Sequence, residues 1–306
     1  MTPMLSRQHR QSLVIRTPAK LNLFLEILGR RPDGFHELET LMVTVGIYDT
    51  LTFREEVSGE IRLRCFGSTV SEPSDGVLTD EVPDGRENLV FRAAELLRNH
   101  AGVDRGVSIE LNKRIPVAAG LAGGSSDAAA TLAGLNRLWQ LGLTASDLEQ
   151  LASQLGSDVG FFLGETSAAV CRGRGEQVNP IVVPVGMHFV IARPGRGLST
   201  ALVYKNCRPS PQPTNCQRLV ECLRQGRLDG VGRHFQNALQ APAEQLNSDV
   251  TMLKTFFSKQ PVLGHMMTGS GSAYFALCAN RRQSQRLAAR LRAEKGCRAF
   301  VAQSGP

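Results

Sequence analysis

Gly120, Gly123 and Gly124 fall within five residues of one another, and Ser125 and Ser126 follow directly. Glycines lack a Cβ, so backbone N–H groups can converge on one point. Ser125 or Ser126 then supplies a helix N-cap, and Ala128, Ala129, Ala130, Leu132, Ala133 and Leu135 are strong helix material. A glycine loop that opens a helix binds anions, because its orphan N–H groups and the helix dipole point the same way. The natural anion is a nucleotide phosphate. Two familiar phosphate motifs are excluded. No lysine follows the glycines as G-x-x-x-x-G-K-[ST] requires, and Gly120-Leu-Ala-Gly123 has the wrong spacing for G-x-G-x-x-G. A flexible turn before a helix would also concentrate glycine, but the double serine and the apolar helix face behind it favour the phosphate.

A second Gly/Ser loop, Met266 to Ala273, contains Gly269, Ser270 and Gly271. Two such loops suggest a nucleotide bound by one and capped by the other. Phosphoryl transfer then needs charge neutralisation, an oriented acceptor hydroxyl and, as a rule, Mg²⁺. A buried Asp can orient the hydroxyl and accept its proton. A nearby lysine holds that Asp ionised and stabilises charge on the incoming oxygen. Asp158 lies between glycines and beside Phe161 and Phe162, an unusual setting for an acid. With only six lysines in the chain, Lys20, in Pro18-Ala-Lys-Leu-Asn22, is the most suggestive partner. Its structural alternative is a solvated strand-end lysine; for Asp158 it is a turn or helix-end Asp, and for His36 an ordinary structural histidine.

Several elements must position these groups. Leu13–Arg16 and Leu21–Leu28 read as strands, the second with Leu21, Leu23, Leu25 and Ile27 alternating with their neighbours. Arg31-Pro-Asp-Gly34 is a turn, and Phe35 to Phe53 is further strand material. Residues 66–86 read as a long loop. Helices are expected over 88–101, after the glycine loop to Trp139, after the Thr144 N-cap to Leu155, and over 216–225, 228–240 and 246–258. A last helix carries Arg282, Arg286 and Arg290 opposite Leu287 and Leu291, which reads as a solvated face. Strands and helices mix without a strict βαβ rhythm, so the fold class is α+β in two lobes. The boundary falls near 160–185 and is placed at 170, giving a loose leader over 1–11, a first lobe over 12–170 and a second over 171–306.

The bulk numbers limit the function classes. The chain has 306 residues with 42% hydrophobic content, enough for a real core. No apolar run approaches the ~20 residues of a membrane helix, and the polar, basic start is not a secretory signal. Seven scattered cysteines without C-x-x-C point to a reducing, cytoplasmic setting and to neither a disulfide framework nor a zinc site. The net charge of +7 suits an anionic substrate, and three tyrosines with one tryptophan give poor support for a base-stacking platform on nucleic acid.

The chain resembles the small-molecule kinases of the GHMP superfamily. The resemblance rests on Pro18 to Leu23, Arg31 to Thr40, Asn88-Leu-Val, Pro116 to Ala129, Gly156 to Val159 and Thr268 to Gly271, in family order over nearly all of the chain after residue 12. The first two stretches are similar to the branch that phosphorylates a cytidine diphosphate alcohol of the non-mevalonate isoprenoid pathway. The resemblance implies an N-terminal ribosomal-protein-S5-like lobe and a C-terminal ferredoxin-like lobe, with ATP and Mg²⁺ as cofactors. It implies Asp158 as base and Lys20 as its partner. Pro116, Val117, Ala118, Ala119, Gly120, Leu121, Ala122, Gly123, Gly124, Ser125 and Ser126 would form the ATP phosphate loop, with Asn88 near the adenine and Ser126 nearest Mg²⁺. Asn22, Phe35, His36, Thr200, Tyr204, Gly269 and Ser270 would contact substrate, His36 at the cytosine edge and Phe35 with Tyr204 as a ring sandwich. Phe35 stands where Tyr is common, Ala122 where some members have Gly, and Gly160 where Pro is frequent. The implied partner is a small cytidine diphosphate alcohol, with no nucleic acid or membrane, in a monomer or weak homodimer. A GHMP kinase for a mevalonate- or homoserine-type alcohol and a non-enzymatic RNA-binding protein are the alternatives. The cytidine-site residues separate the first, and the intact Lys20 and Asp158 argue against the second.

Overall fold

A computed structural model describes residues 4–9, 12–67, 82–164 and 166–304. Its first sheet is built on two very long antiparallel strands, flanked by a short first one: β1 (Leu5–His9), β2 (Ser12–Arg30) and β3 (His36–Glu56). β4 (Ile61–Phe66) lies parallel to β5 (Gly106–Asn112), and β5 pairs with the far half of β3. β6 (Ala168–Gly173) takes the near half of β3, and β7 (Gln177–Pro180) extends that edge. The second sheet is antiparallel. It contains β8 (His188–Arg193), β10 (Gly264–Met267), β11 (Tyr274–Cys278) and β12 (Arg298–Gln303) in the order β10-β11-β8-β12. Between them in sequence, β9 (Gln236–Asn237) adds to β2 in parallel.

Ser12–Arg30 is one strand where two were expected. Pro18 does not break it, because the ladder to β3 shifts register between Pro18 and Ala19 and no N–H is required there. A second shift lies between Asn22 and Phe24. Between these bulges the pairing with β3 continues, and two N–H groups find other partners. The Lys20 N–H donates to Leu121 O at 3.1 Å, and the Asn22 N–H donates to Thr268 Oγ1 at 3.0 Å. The bulges therefore aim Lys20 and Asn22 at the two glycine loops.

Helices α1 (Leu89–Ala101), α2 (Gly123–Leu138), α3 (Ala145–Leu155) and α4 (Val159–Leu163) pack on the first sheet. Phe53, Leu97, Ile109, Leu132, Leu135, Phe161 and Phe162 form much of that core. The second half carries α5 (Thr200–Asn206), α6 (Gln217–Arg224), α7 (Leu228–Arg233), α8 (Gln240–Leu246), α9 (Ser248–Ser258) and α10 (Arg281–Lys295). A further apolar cluster joins Leu21, Leu23 and Val43 of the first sheet to Phe189, Ile191 and Phe275 of the second. The expected solvated face of α10 is present, with Arg282, Arg286 and Arg290 exposed and Leu287 and Leu291 buried.

Three expectations need correction. Residues 5–9 of the supposed loose leader form a strand, from Leu5 opposite Arg16 to His9 opposite Ser12, because the edge of β2 offers unpaired backbone there. The first sheet continues through β6 and β7 past residue 170. The helix expected over 228–240 is two short helices parted by β9, because Asn237 is drawn to β2 and its side chain to the second glycine loop. Of the long loop expected over 66–86, positions 68–81 lie outside the described residues.

β3, β5 and α2 are tied by buried charge. Lys113 Nζ reaches Asp49 Oδ2 and, at 2.8 Å, Asp127 Oδ2. Thr17 Oγ1 donates to Asp127 Oδ1 at 2.8 Å, and Asp49 Oδ1 accepts the Ile115 N–H at 2.8 Å. Burial works against the Lys113 ammonium, yet Asp127 and Asp49 outweigh it and hold the group above the ordinary lysine value. Burial likewise pushes the Asp127 carboxyl up, to about 6, against the pull of Lys113. Removing the cation would strand two carboxylates in the interior. Lys113→Met should lower stability by about 3–5 kcal/mol in urea unfolding at neutral pH. The deficit should shrink as acid protonates the stranded carboxylates. A neutral-pH loss below about 1 kcal/mol would contradict a structural role for this cluster.

Candidate active site

The two glycine loops pack on each other. Gly120 has φ +75°, and a Cβ there would lie 2.2 Å from Thr268 O. The Ala273 N–H donates to Ala119 O at 3.1 Å. Asn237 Nδ2 donates to Met267 O at 2.8 Å and to Gly269 O at 2.9 Å, fixing the second loop from behind. The two loops are thus in direct backbone contact, close enough to face one ligand together.

Lys20 sits under this contact. Its Nζ donates to Asn22 Oδ1 at 2.6 Å and to Gly120 O at 2.8 Å, and lies 3.6 Å from Asp158 Oδ2. Asn22 is held in turn, its Nδ2 donating to Thr40 Oγ1 at 2.8 Å while Thr40 Oγ1 donates to Phe24 O at 2.6 Å. Burial draws the Lys20 ammonium below the ordinary lysine value, and the Asp158 carboxylate opposes that shift. Lys20 is 3% exposed and Asp158 33%, so the acid faces the cavity and the cation stands behind it. Asp158 occupies the N-cap position of α4 yet makes no capping hydrogen bond, which leaves its oxygens for Lys20 and a ligand.

Both groups line a cavity of about 1260 Å³. Single-ligand sites usually span ~300–1,000 Å³, so this one has room for two ligands together. Pro116 to Ser125, Asn88 and Leu89 line it from the first lobe, and Thr200, Tyr204, Gly269 and Ser270 from the second. Phe35 and His36 reach it from the β2–β3 turn. Thr200 Oγ1 and Ser270 Oγ share a hydrogen bond of 2.8 Å, which links α5 to the second loop. Tyr204 makes its ring contact with His36, centroids 5.2 Å apart and tilted 40°, and Phe35 instead lies under the Arg174 guanidinium. Burial, then Arg30, lowers the His36 pKa below 6.5, so the ring is neutral at physiological pH.

Two loop residues differ from expectation. Helix α2 begins at Gly123, with Ala122 at φ +55° in the N-cap position, so neither serine caps it. The earlier start turns the following residues by about 100° per position. Ser125 therefore lines the cavity, while Ser126 Oγ is buried without a hydrogen-bond partner and does not line it. Asn88 lines the cavity, but its side chain is committed to α1: Oδ1 accepts the Val90 N–H at 2.8 Å and Nδ2 donates to Pro83 O at 2.6 Å. Among the described residues no group of three or more His, Cys, Asp or Glu could hold a metal by itself. Ser125 and Asp158 are hard oxygen donors on the cavity wall, which suits a Mg²⁺ carried mainly by nucleotide phosphates.

Sequence reasoning missed Lys113, Asp127, Arg174 and Asn237. Asp127 follows the two serines without a signal of its own, and its partners Lys113 and Asp49 are brought together only by the fold. Asn237 lay inside a predicted helix.

The GHMP kinases N terminal domain matches residues 88–168, and the GHMP kinases C terminal model matches residues 219–296. The chain belongs to the GHMP kinases. It is 40% identical to the 4-diphosphocytidyl-2-C-methyl-D-erythritol kinase of Pelotomaculum thermopropionicum over 90% of this chain and 92% of that one. It is 38% identical to the kinase of the same name from Alkaliphilus metalliredigens, over 87% of this chain and 88% of the other. A crystal structure of 4-(cytidine 5'-diphospho)-2C-methyl-D-erythritol kinase superposes with TM-score 0.78 at 35% identity, covering 96% of this chain and 99% of that chain. Within its class the chain belongs to the 4-diphosphocytidyl-2-C-methyl-D-erythritol kinases. Homoserine kinase from Cytophaga hutchinsonii shares the fold at TM-score 0.71 and 18% identity.

The contact at Gly120 carries a test. An alanine there would need a left-handed backbone and would drive its Cβ into Thr268 O, a carbonyl that cannot rotate away. Gly120→Ala should part the loops and displace the Lys20 acceptor, with turnover falling more than about tenfold and a stability loss of roughly 2 kcal/mol or more. Wild-type turnover in this variant would show that the loops need not touch.

Proposed function

We propose that the chain transfers the γ-phosphoryl group of ATP to the 2-hydroxyl of 4-diphosphocytidyl-2-C-methyl-D-erythritol, giving the 2-phosphate and ADP. One observation carries this reading. A buried Lys20 paired with a partly exposed Asp158 lies at the junction of two glycine loops, in a cavity that also holds Phe35, His36 and Tyr204. The glycine loop from Gly120 and the start of α2 present backbone N–H groups to the triphosphate. Asp158 orients the acceptor hydroxyl and takes its proton as the oxygen–phosphorus bond forms. The Lys20 ammonium stabilises the carboxylate and the negative charge developing on that oxygen. Ser125 would help hold a Mg²⁺ carried by the nucleotide phosphates, which would supply charge neutralisation.

At the other part of the cavity, neutral His36 offers one ring nitrogen as acceptor and the other as donor. That matches the cytosine edge, which presents an amino donor beside acceptors. Phe35 and Tyr204 supply ring faces for the base. Thr200 and Ser270, joined by their hydroxyls, present polar atoms from the second lobe.

A coupled ADP-release assay tests the acceptor. The cytidine diphosphate alcohol should be turned over with a kcat/KM at least about a hundredfold above mevalonate and homoserine, because a hydrogen-bonding site left unpaired discriminates strongly. Equal or better turnover of either small alcohol would overturn the assignment. Asp158→Asn should lose roughly 10²–10⁴ in turnover while still binding ATP, as general-base assistance is worth that much. Near wild-type turnover would remove Asp158 as base.

His36 gives a pH signature. Its lowered pKa leaves the ring neutral at neutral pH, and it becomes protonated, losing its acceptor, only as pH falls below 6.5. KM for the cytidine substrate should therefore be flat above neutrality and rise in acid. His36→Gln should raise KM at neutral pH and flatten the acid rise. A variant that keeps that rise would assign the titration to another group.

A further inference from the structure

One cation on the cavity wall has no part in the roles above and is held in place by the fold. β6 and β7 are joined by a tight turn in which the Gly175 N–H donates to Arg172 O at 3.1 Å. Gly173 and Gly175 adopt φ of +73° and +121°, conformations that favour glycine. Glu176 folds back over the turn, its Oε2 accepting the Arg174 N–H at 2.6 Å. Gly175 rests on Ser157, where an added Cβ would meet the serine Cβ at 3.4 Å. The turn that carries Arg174 is therefore seated against the residue preceding Asp158.

The Arg174 side chain leaves this turn and lays its guanidinium 4.8 Å from the centre of the Phe35 ring. It lines the cavity and is 27% exposed. A guanidinium stacked on an aromatic face keeps its N–H groups free in its own plane. Glu176 Oε2 forms an ion pair with Arg174 Nε at 4.0 Å, too long for a hydrogen bond, so the guanidinium N–H groups keep their donors for another acceptor. Arg30, Lys205 and Arg208 also line the cavity, but each is exposed.

We infer that Arg174 recognises the phosphates that join the cytidine to the alcohol, and that it sets the enzyme's preference for a diphosphate-linked substrate over an uncharged cytidine. This rests on the functional reading above. In that reading the base lies by Phe35 and His36 and the reacting hydroxyl by Asp158, so the diphosphate must cross the interval between them. Arg174 spans that interval: its head is on Phe35 and its turn is against Ser157. A planar fork is the geometry that pairs with two phosphate oxygens at once. Arg174 is a binding residue here and takes no part in proton transfer.

Calorimetric titration of cytidine, CMP and CDP into wild type, Arg174→Met and Arg174→Lys tests the inference. Wild type should bind CDP more tightly than cytidine. Arg174→Met should leave cytidine affinity within about threefold, which also reports an intact fold, and weaken CDP roughly ten- to a hundredfold, the range for a charge-assisted contact. Arg174→Lys should recover part of that loss. In kinetics the effect should appear in KM for the alcohol, with kcat and KM for ATP little changed. If Arg174→Met keeps the full CDP preference, or weakens cytidine and CDP equally, Arg174 does not read phosphate and the inference fails alone. If wild type binds no cytidine species, the functional reading fails and takes the inference with it.

Discussion

A buried ammonium must be surrounded by oxygen, and that requirement at Lys20 organises the rest of the site. Taking a lysine out of water is unfavourable unless its three donors are met. Here Asn22 and Gly120 O meet two of them and Asp158 stands at the third, so one strand, one glycine loop and one helix start converge on a single nitrogen. Asn22 is fixed by Thr40, and Gly120 by contact with Thr268. Asn22 and Gly120 each have a second anchor, one in each lobe, so the ammonium cannot move without disturbing both lobes. Under the proposed function, such preorganisation would place charge where it develops in the reaction, with little left to reorganise.

The long β2–β3 ribbon makes this convergence possible. It carries Lys20 and Asn22 in its middle and Phe35 and His36 at its turn, so the residues proposed for the chemistry and for recognition of the acceptor share one element. Between the bulges after Pro18 and Asn22 the strand stays paired with β3, while its Lys20 and Asn22 N–H groups are left to the glycine loops. Beneath the first loop, the Lys113 cluster fixes the start of α2, and Gly123 is close enough that a Cβ would lie 3.0 Å from Lys113 Nζ. The first glycine loop is thus braced by charge below and by a second loop beside it.

Much of this was legible in the sequence, and the limits have physical causes. The glycine loop, the strand at Lys20, the turn before Phe35 and the Thr144 capping box all depend on neighbours in the chain, and each appears where expected. The strand length was not legible, because Pro18 signals an end unless a bulge makes its missing N–H harmless. The inward turn of Ser126 was hidden by Ala122, a residue that seldom takes a left-handed conformation and so gives no sign of starting a helix. The roles of Asp127, Arg174 and Asn237 lie in contacts across the fold, Thr17 with Asp127, Phe35 with Arg174, and Gly269 with Asn237, and no local pattern announces them.

The central claim is that the buried Lys20 ammonium acts on the reaction through Asp158 and the incoming oxygen. Steady-state kinetics of Lys20→Met, with ATP binding followed separately to confirm a folded nucleotide site, tests it most directly. The account predicts turnover reduced by about 10²–10³, the scale of losing one preorganised charge stabiliser, with ATP affinity changed far less. Turnover within about tenfold of wild type, in a variant that still binds ATP, would contradict it.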